Sequence, residues 1–206
     1  MSDAMRKKTW PDAALDGPAG RAAIERAGDL WVFGYGSLMW SPGFRYRHKS
    51  PGFVYGYHRS LCVYSHRYRG TPQQPGLVMG LCRGGSCWGM AYRVARDGAR
   101  QVLEYLWHRE MRNRVYQPRL LPVRVGARPV RALAFVADTA HPQFAGDLKV
   151  AQIVRIVARC SGERGHNLEY LQRTLSHMHQ LGVRDPHLDR VLDAARALIR
   201  GRRRLN

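Results

Sequence analysis

The pattern of apolar and polar positions changes partway along the chain. Up to about Ala137 the apolar residues gather in short runs, separated by glycine, proline and arginine. Trp31–Tyr35 reads as a buried strand, and Gly52–Val63 as a second strand region. His66–Gly76 is a basic loop rich in glycine and proline. Leu77–Cys82 and Cys87–Val94 follow as two strands, and Gly84-Gly85 between them predicts a hairpin turn. Asp97 opens a helix that runs to about Arg109. Val115–Val125 and Val130–Ala137 form another strand pair, broken at Gly126-Ala127-Arg128-Pro129. Beyond Asp138 the period becomes helical, with helices predicted over Asp147–Arg159, Asn167–Gln180 and Asp185–Ile199. Strands first and helices last predict an α+β fold, a small and mostly antiparallel β-barrel with flanking helices.

The stretch Trp31–Trp40 stands out within this pattern. Its apolar strand runs into Gly34-Tyr35-Gly36-Ser37 and then into Leu38, Met39 and Trp40. Glycines there let the backbone bend and let another group approach it, and N–H groups freed at such a bend form a small anion site. A dinucleotide fingerprint does not fit. Met39 stands where its third glycine belongs, Ser41-Pro42-Gly43 breaks the helix that should follow, and no acid lies about 20 residues on. Ser37 does not fit a hydrolase nucleophile elbow either, because Met39 replaces the closing glycine. The bend is read as holding a carboxylate of a small substrate.

Length and composition narrow the picture. The 206 residues suit one globular domain. The domain is placed at 29–200, between an amino-terminal extension over 1–28 and a basic tail over 201–206. The extension lacks the apolar run of a secretory signal, and no stretch reaches membrane-spanning length. A cytoplasmic protein without a membrane partner is expected. Cys62, Cys82, Cys87 and Cys160 form no Cys-x-x-Cys pair and are read as reduced thiols. Cys82 and Cys87 would face each other across the predicted hairpin. The net charge of +19 comes mostly from arginine and draws in anions of any size. The arginines are scattered rather than gathered on one segment. A module for nucleic acid or another polyanion is therefore kept as an alternative, with no specific nucleic-acid partner expected.

The census of acids is more selective. No Asp or Glu occurs between Asp29 and Asp97, so the strand region supplies no carboxylate pair. On the helix opened by Asp97, Leu103, Leu106 and Glu110 share one face, while Glu104 turns away towards Arg100 and His108. Glu110 is aimed at the sheet from an apolar face, which raises a carboxyl pKa and suits a proton acceptor near neutral pH. Arg109 beside it is expected to point to another face. His177 and His179 also face different ways, no His-Glu-x-x-His occurs, and no metal is expected. Tyr116 and Tyr170 are candidates to place a phenol in a pocket.

These residues occur in a recognisable order. Val32-Phe33-Gly34-Tyr35-Gly36-Ser37-Leu38-Met39-Trp40 is followed by Gly56-Tyr57-His58-Arg59-Ser60, Arg69-Gly70-Thr71 and Pro75-Gly76. Gly89-Met90-Ala91-Tyr92-Arg93, Arg109-Glu110 with Tyr116, and Gly165-His166-Asn167-Leu168-Glu169-Tyr170-Leu171 complete the series. The ordered set resembles the ChaC-like, glutathione-specific γ-glutamylcyclotransferases, over about Trp31 to Leu198. The resemblance implies a small barrel with flanking helices. It implies conversion of glutathione to 5-oxoproline and cysteinylglycine without metal or cofactor. It assigns proton acceptance to Glu110, the γ-glutamyl group to Tyr35, Gly36, Ser37 and Leu38, and a place in the pocket to Tyr170, with Tyr116 beside it. Arg69 is expected to attract or hold the glycine carboxylate, with Arg59 as a second candidate. Met111-Arg112-Asn113-Arg114 departs from the glycine that relatives often carry there. A monomer or weak dimer is expected. A cyclotransferase for other γ-glutamyl amines or peptides is the nearest alternative.

Overall fold

The computed structural model describes residues 29–203; the predicted amino-terminal extension, 1–28, lies outside the described residues. Five strands close a barrel: β1 (Leu30–Gly34), β2 (His48–Ser65), β3 (Gly76–Val94), β4 (Tyr116–Val125) and β5 (Arg128–Ala137). Their order around it is β1-β3-β2-β4-β5. Neighbours are antiparallel except where β1 meets β5, at Trp31↔Ala132 and Val32↔Leu133. The helices are α1 (Ala99–Glu110), α2 (Val150–Arg159), α3 (Asn167–Gln180) and α4 (Pro186–Arg203). Two-residue strands β6 (Ser161–Gly162) and β7 (Gly165–His166) pair just before α3. The last helix runs on through Arg203, into the segment read as a tail.

The run of apolar residues in β1 follows from burial on both faces. Phe33 belongs to the cluster that fills the barrel and extends to α2, α3 and α4. Leu30 and Val32 belong to the cluster that α1 packs onto, with Tyr92, Leu103, Leu106, Leu133 and Phe135. Leu103 and Leu106 are almost fully buried, each worth about 1.5–3 kcal/mol of transfer free energy. The apolar stripe predicted on α1 is thus the seam that fixes this helix, and with it Glu110, against the barrel.

The predicted hairpin at Gly84-Gly85 is not there. Both glycines have positive φ, 93° and 69°, but the chain does not reverse. It continues as one 19-residue strand, β3, paired along its length with β2. The register slips between Tyr55↔Ser86 and Tyr57↔Arg83, opposite Gly56 with φ 77°. The glycines absorb an irregularity in the ladder, a use of positive φ that looks in sequence like a turn. Cys82 and Cys87 therefore lie on one strand. Cys87 faces the barrel interior, while Cys82 packs with Cys62, Val63 and Tyr116.

Candidate active site

After Gly34 the chain leaves the barrel and makes a single 3-10 turn, Ser37–Met39. The turn folds back tightly: a Cβ at Gly34 would stand 2.7 Å from the Cβ of Leu38. Leu38 and Met39 anchor it by burial, and the Tyr92 hydroxyl donates to both their carbonyls. The Arg59 guanidinium holds it from behind, donating to the carbonyls of Tyr35 and Trp88. Arg59 does not line the cavity in front of the turn and is a brace for it.

That cavity has a volume of ≈ 670 Å³, and its walls include Tyr35, Gly36, Ser37, Leu38, Arg69, Glu110, Tyr116 and Tyr170. All eight site residues expected from the sequence thus meet at one hollow. Five separate parts of the chain deliver them: the turn after β1, the loop after β2, the end of α1, the start of β4 and the first turn of α3. Tyr116 and Tyr170 close on the backbone of Met79 from β3. The Tyr116 hydroxyl donates to its carbonyl at 3.0 Å, and the Tyr170 hydroxyl accepts its N–H at 3.0 Å. Gly36 sits against this pair, where a Cβ would be 3.1 Å from the Tyr170 hydroxyl. The Tyr35 phenol turns into the barrel wall and donates to the Phe135 carbonyl.

Tyr170 is placed by its neighbours on α3. Asn167, fully buried, spans Leu77 like a paired strand: its Oδ1 accepts the Leu77 N–H and its Nδ2 donates to the Leu77 carbonyl, both at 2.7 Å. Arg69 is largely spent on the same task. It is 5% exposed, donates to the His166 carbonyl at 3.2 Å, lies 3.8 Å from Glu169, and covers the Tyr170 ring. Burial pulls its guanidinium pKa down, against the pull of Glu169. The solvent-exposed cations of the same cavity are Arg67, Arg112, Arg164 and Arg173.

Glu110 ends α1 with its side chain 17% exposed. Burial raises its carboxyl pKa above 4.5, and the Arg109 guanidinium opposes that shift. The Glu110 charge in turn adds to the raised pKa values of Tyr35, Tyr116 and Tyr170, where burial is the larger cause; Tyr170 is pushed up to about 12. The expectation that Arg109 points away is wrong. Its Nε lies 2.9 Å from a Glu110 oxygen. Its other nitrogens donate to Ser37 Oγ, the Tyr105 hydroxyl and the carbonyls of Ser41 and Pro42. Successive Cβ atoms on a helix do diverge by about 100°, but a guanidinium on a long stem folds back across the helix end. Arg109 is the functional neighbour that sequence reasoning missed. The signal was present: an arginine four residues after Tyr105, next to the only acid on the apolar face.

The site can hold an anionic, extended small molecule against one buried base, with donors on the turn and arginines around the opening. Among the described residues no group of three His, Cys, Asp or Glu is placed to hold a metal ion. No helix of the described residues is long and apolar enough to cross a membrane.

Comparisons with known proteins agree with this architecture. A glutathione-specific gamma-glutamylcyclotransferase of Escherichia coli (strain K12) is 35% identical over 173 residues, 84% of this chain and 75% of that protein. Glutathione-specific gamma-glutamylcyclotransferase 1 of Mus musculus is 36% identical over 211 residues, 97% of this chain and 94% of that protein. The crystal structure of a gamma-glutamylcyclotransferase specific to glutathione from yeast superposes with a TM-score of 0.77 at 22% identity, covering 82% of this chain and 96% of that one. The family model described as ChaC-like protein matches residues 30–198, and the chain belongs to that family.

Proposed function

We propose that this protein is a γ-glutamylcyclotransferase that converts glutathione to 5-oxoproline and cysteinylglycine, with Glu110 as the proton acceptor. The observation that carries the reading is a single carboxylate of raised pKa, largely buried beside a glycine-bearing turn, in a hollow whose walls hold several tyrosines and arginines and, among the described residues, no other acid. Relatives named for this activity, at about 35% identity over most of the chain, support it.

The substrate's α-amino group is mostly an ammonium at neutral pH and cannot attack. An ordinary carboxylate is more than 3 pK units too weak to deprotonate it, about 5 kcal/mol uphill. Burial of Glu110 narrows that gap, and Arg109 keeps the carboxyl from holding its proton permanently. The freed amine attacks the γ-carbonyl carbon of the same molecule and closes a five-membered ring. The bond to the cysteine nitrogen then breaks, and Glu110 returns the proton to the departing amine. Folding the γ-glutamyl chain against the turn supplies orientation, a large share of the rate in intramolecular reactions. The N–H groups that begin the turn, at Ser37 and Leu38, have no partner within it. They serve the tetrahedral oxyanion or the α-carboxylate. Tyr116 and Tyr170 form the wall behind the reacting carbon. The glycine carboxylate is drawn by the arginines at the opening, with Arg69 as a charge behind them. The reaction uses no metal or cofactor, and the protein acts as a cytoplasmic monomer or weak dimer.

The test is incubation with glutathione and detection of 5-oxoproline, for wild type and Glu110→Gln, with γ-glutamyl amino acids in parallel. Product from glutathione in wild type and not in the variant is expected. Equal product from the variant would remove the mechanism. Turnover of γ-glutamyl amino acids alone would move the assignment to another substrate.

A further inference from the structure

Outside the proposed reaction the barrel carries a second reactive pair. Cys62 on β2 and Cys82 on β3 place their sulfurs 3.3 Å apart, within hydrogen-bonding distance of each other. Neither is spent on the reaction at Glu110. Cys62 is buried and Cys82 half-buried, so Cys82 is the more open of the two. The pair belongs to a small cluster with Val63, Val115 and Tyr116, three residues that also line the cavity. The ladder is irregular at this point. Its register shifts between Leu61 and Val63, so Cys62 is not held in strict pairing. Cys82 stands opposite His58, about three ladder positions from Cys62, so closing the 3.3 Å gap to an S–S bond needs the backbone to shift at this irregular point as well as the side chains to turn.

We propose that Cys62 and Cys82 form a thiol–disulfide exchange site that takes a small-molecule disulfide and converts it to two thiols. The Cys82 thiolate attacks one sulfur of the disulfide. That S–S bond breaks, and the first half leaves as a thiol after taking a proton from water. Cys82 now carries the second half as a mixed disulfide. Cys62 gives up its proton to water and attacks the Cys82 sulfur. The second half leaves, again as a thiol, and a Cys62–Cys82 bond remains. Two protein thiols are oxidised and one disulfide is reduced, with no further oxidant.

The division of roles follows from the surroundings. The charged and titratable groups facing Cys82 are Cys62 and His58 from β2 and Asp147 from the segment after β5. The hydrogen bond with Cys62 and the nearby His58 outweigh burial and Asp147, and the Cys82 thiol is lowered. The same hydrogen bond and burial push Cys62 up. Cys82, the more exposed of the two, is the attacking thiolate, and the buried Cys62 is the resolving thiol. Cys87 and Cys160 are buried, and burial pushes both thiols up, so they serve as internal controls.

The full chain is incubated with hydroxyethyl disulfide, which carries no γ-glutamyl group. Free thiols are counted and linked peptides are mapped. Two of the four thiols should disappear and return with dithiothreitol, in a peptide joining Cys62 to Cys82. The rate should rise with pH, at lower pH than for an ordinary thiol. Cys62→Ser should stop at a mixed disulfide on Cys82, and Cys82→Ser should not react. Persistence of all four thiols in wild type, a stable mixed disulfide in wild type, or a link through Cys87 or Cys160 would each overturn the assignment.

Discussion

Arg109 Nε stands 2.9 Å from Glu110 Oε1, and through Ser37, Ser41 and Pro42 the same guanidinium ties the end of α1 to the turn after β1. Two adjacent residues therefore do opposite things to one proton. Burial makes Glu110 hold it, and Arg109 makes Glu110 release it. The site's response to pH and to substitution follows from this balance.

A base works only when ionised. Because the Glu110 pKa is raised above 4.5, kcat/KM is expected to be present above that raised value and to fall as pH drops through it. The acid limb should lie at higher pH than for an ordinary glutamate. Glu110→Gln removes the limb and lowers kcat by about 10²–10⁴. A limb that survives in Glu110→Gln would assign it to another group.

Arg109→Gln deletes the cation that lowers the Glu110 pKa. The acid limb should move to higher pH, and Arg109→Lys should move it less, since the charge stays. Both variants lose the fork that grips Ser37, Ser41 and Pro42, so KM should rise in both. A pH profile identical to wild type in Arg109→Gln would show that the pair does not set the titration.

Gly36 has little space for a side chain, since its Cβ would stand 3.1 Å from the Tyr170 hydroxyl and 3.2 Å from the Met79 Cβ. Gly36→Ala is expected to lower kcat/KM by about tenfold through displacement of Tyr170, and Gly36→Val by more. Thermal melting of the alanine variant checks that the loss is local. Undiminished turnover in Gly36→Val would place the substrate elsewhere.

Asn167→Ala leaves the buried N–H and carbonyl of Leu77 without their side-chain partners. The expected cost is about 2–4 kcal/mol, seen as a Tm lower by about 5–15 °C. Asn167→Asp keeps the acceptor but cannot donate to the carbonyl, so it does not restore the melting point. An unchanged Tm in Asn167→Ala would show that water replaces the amide at no cost.

Arg114 is the one non-glycine residue with positive φ among the described residues, at 54°. Its side chain is exposed. Arg114→Gly should relieve about 1 kcal/mol of backbone strain and raise Tm by about 2–4 °C. A lower Tm would mean that the arginine side chain stabilises the loop by more than the strain costs.

Much of this was legible in the residues because burial imposes a pattern. The double-sided burial of β1 wrote an unbroken apolar run, the stripe on α1 located Glu110, and α3 begins and ends where its apolar spacing does. The rest depended on what lies across from a residue. Gly84 and Gly85 carry the composition of a turn, and only the long partner strand β2 shows that they bend rather than reverse the chain. His48-Lys49-Ser50-Pro51 is polar and mostly exposed, so the sequence pattern began the strand only at Gly52. The reach of Arg109 and the inward placement of Arg69 are side-chain facts that no backbone period encodes.

β1 is also where the cylinder is sealed, with β3 on one side and β5 on the other. The second seam needs Ala132 and Leu133, and the Tyr35 hydroxyl meets its carbonyl 100 residues further on, at Phe135. A nascent chain that has not yet extruded β5 can already brace the bend with Arg59 and Tyr92, but it lacks the Phe135 carbonyl that receives the Tyr35 hydroxyl. Closing the barrel is therefore necessary and not sufficient: the hollow is complete only once α3, which follows β5 in the chain, brings Tyr170 against Met79.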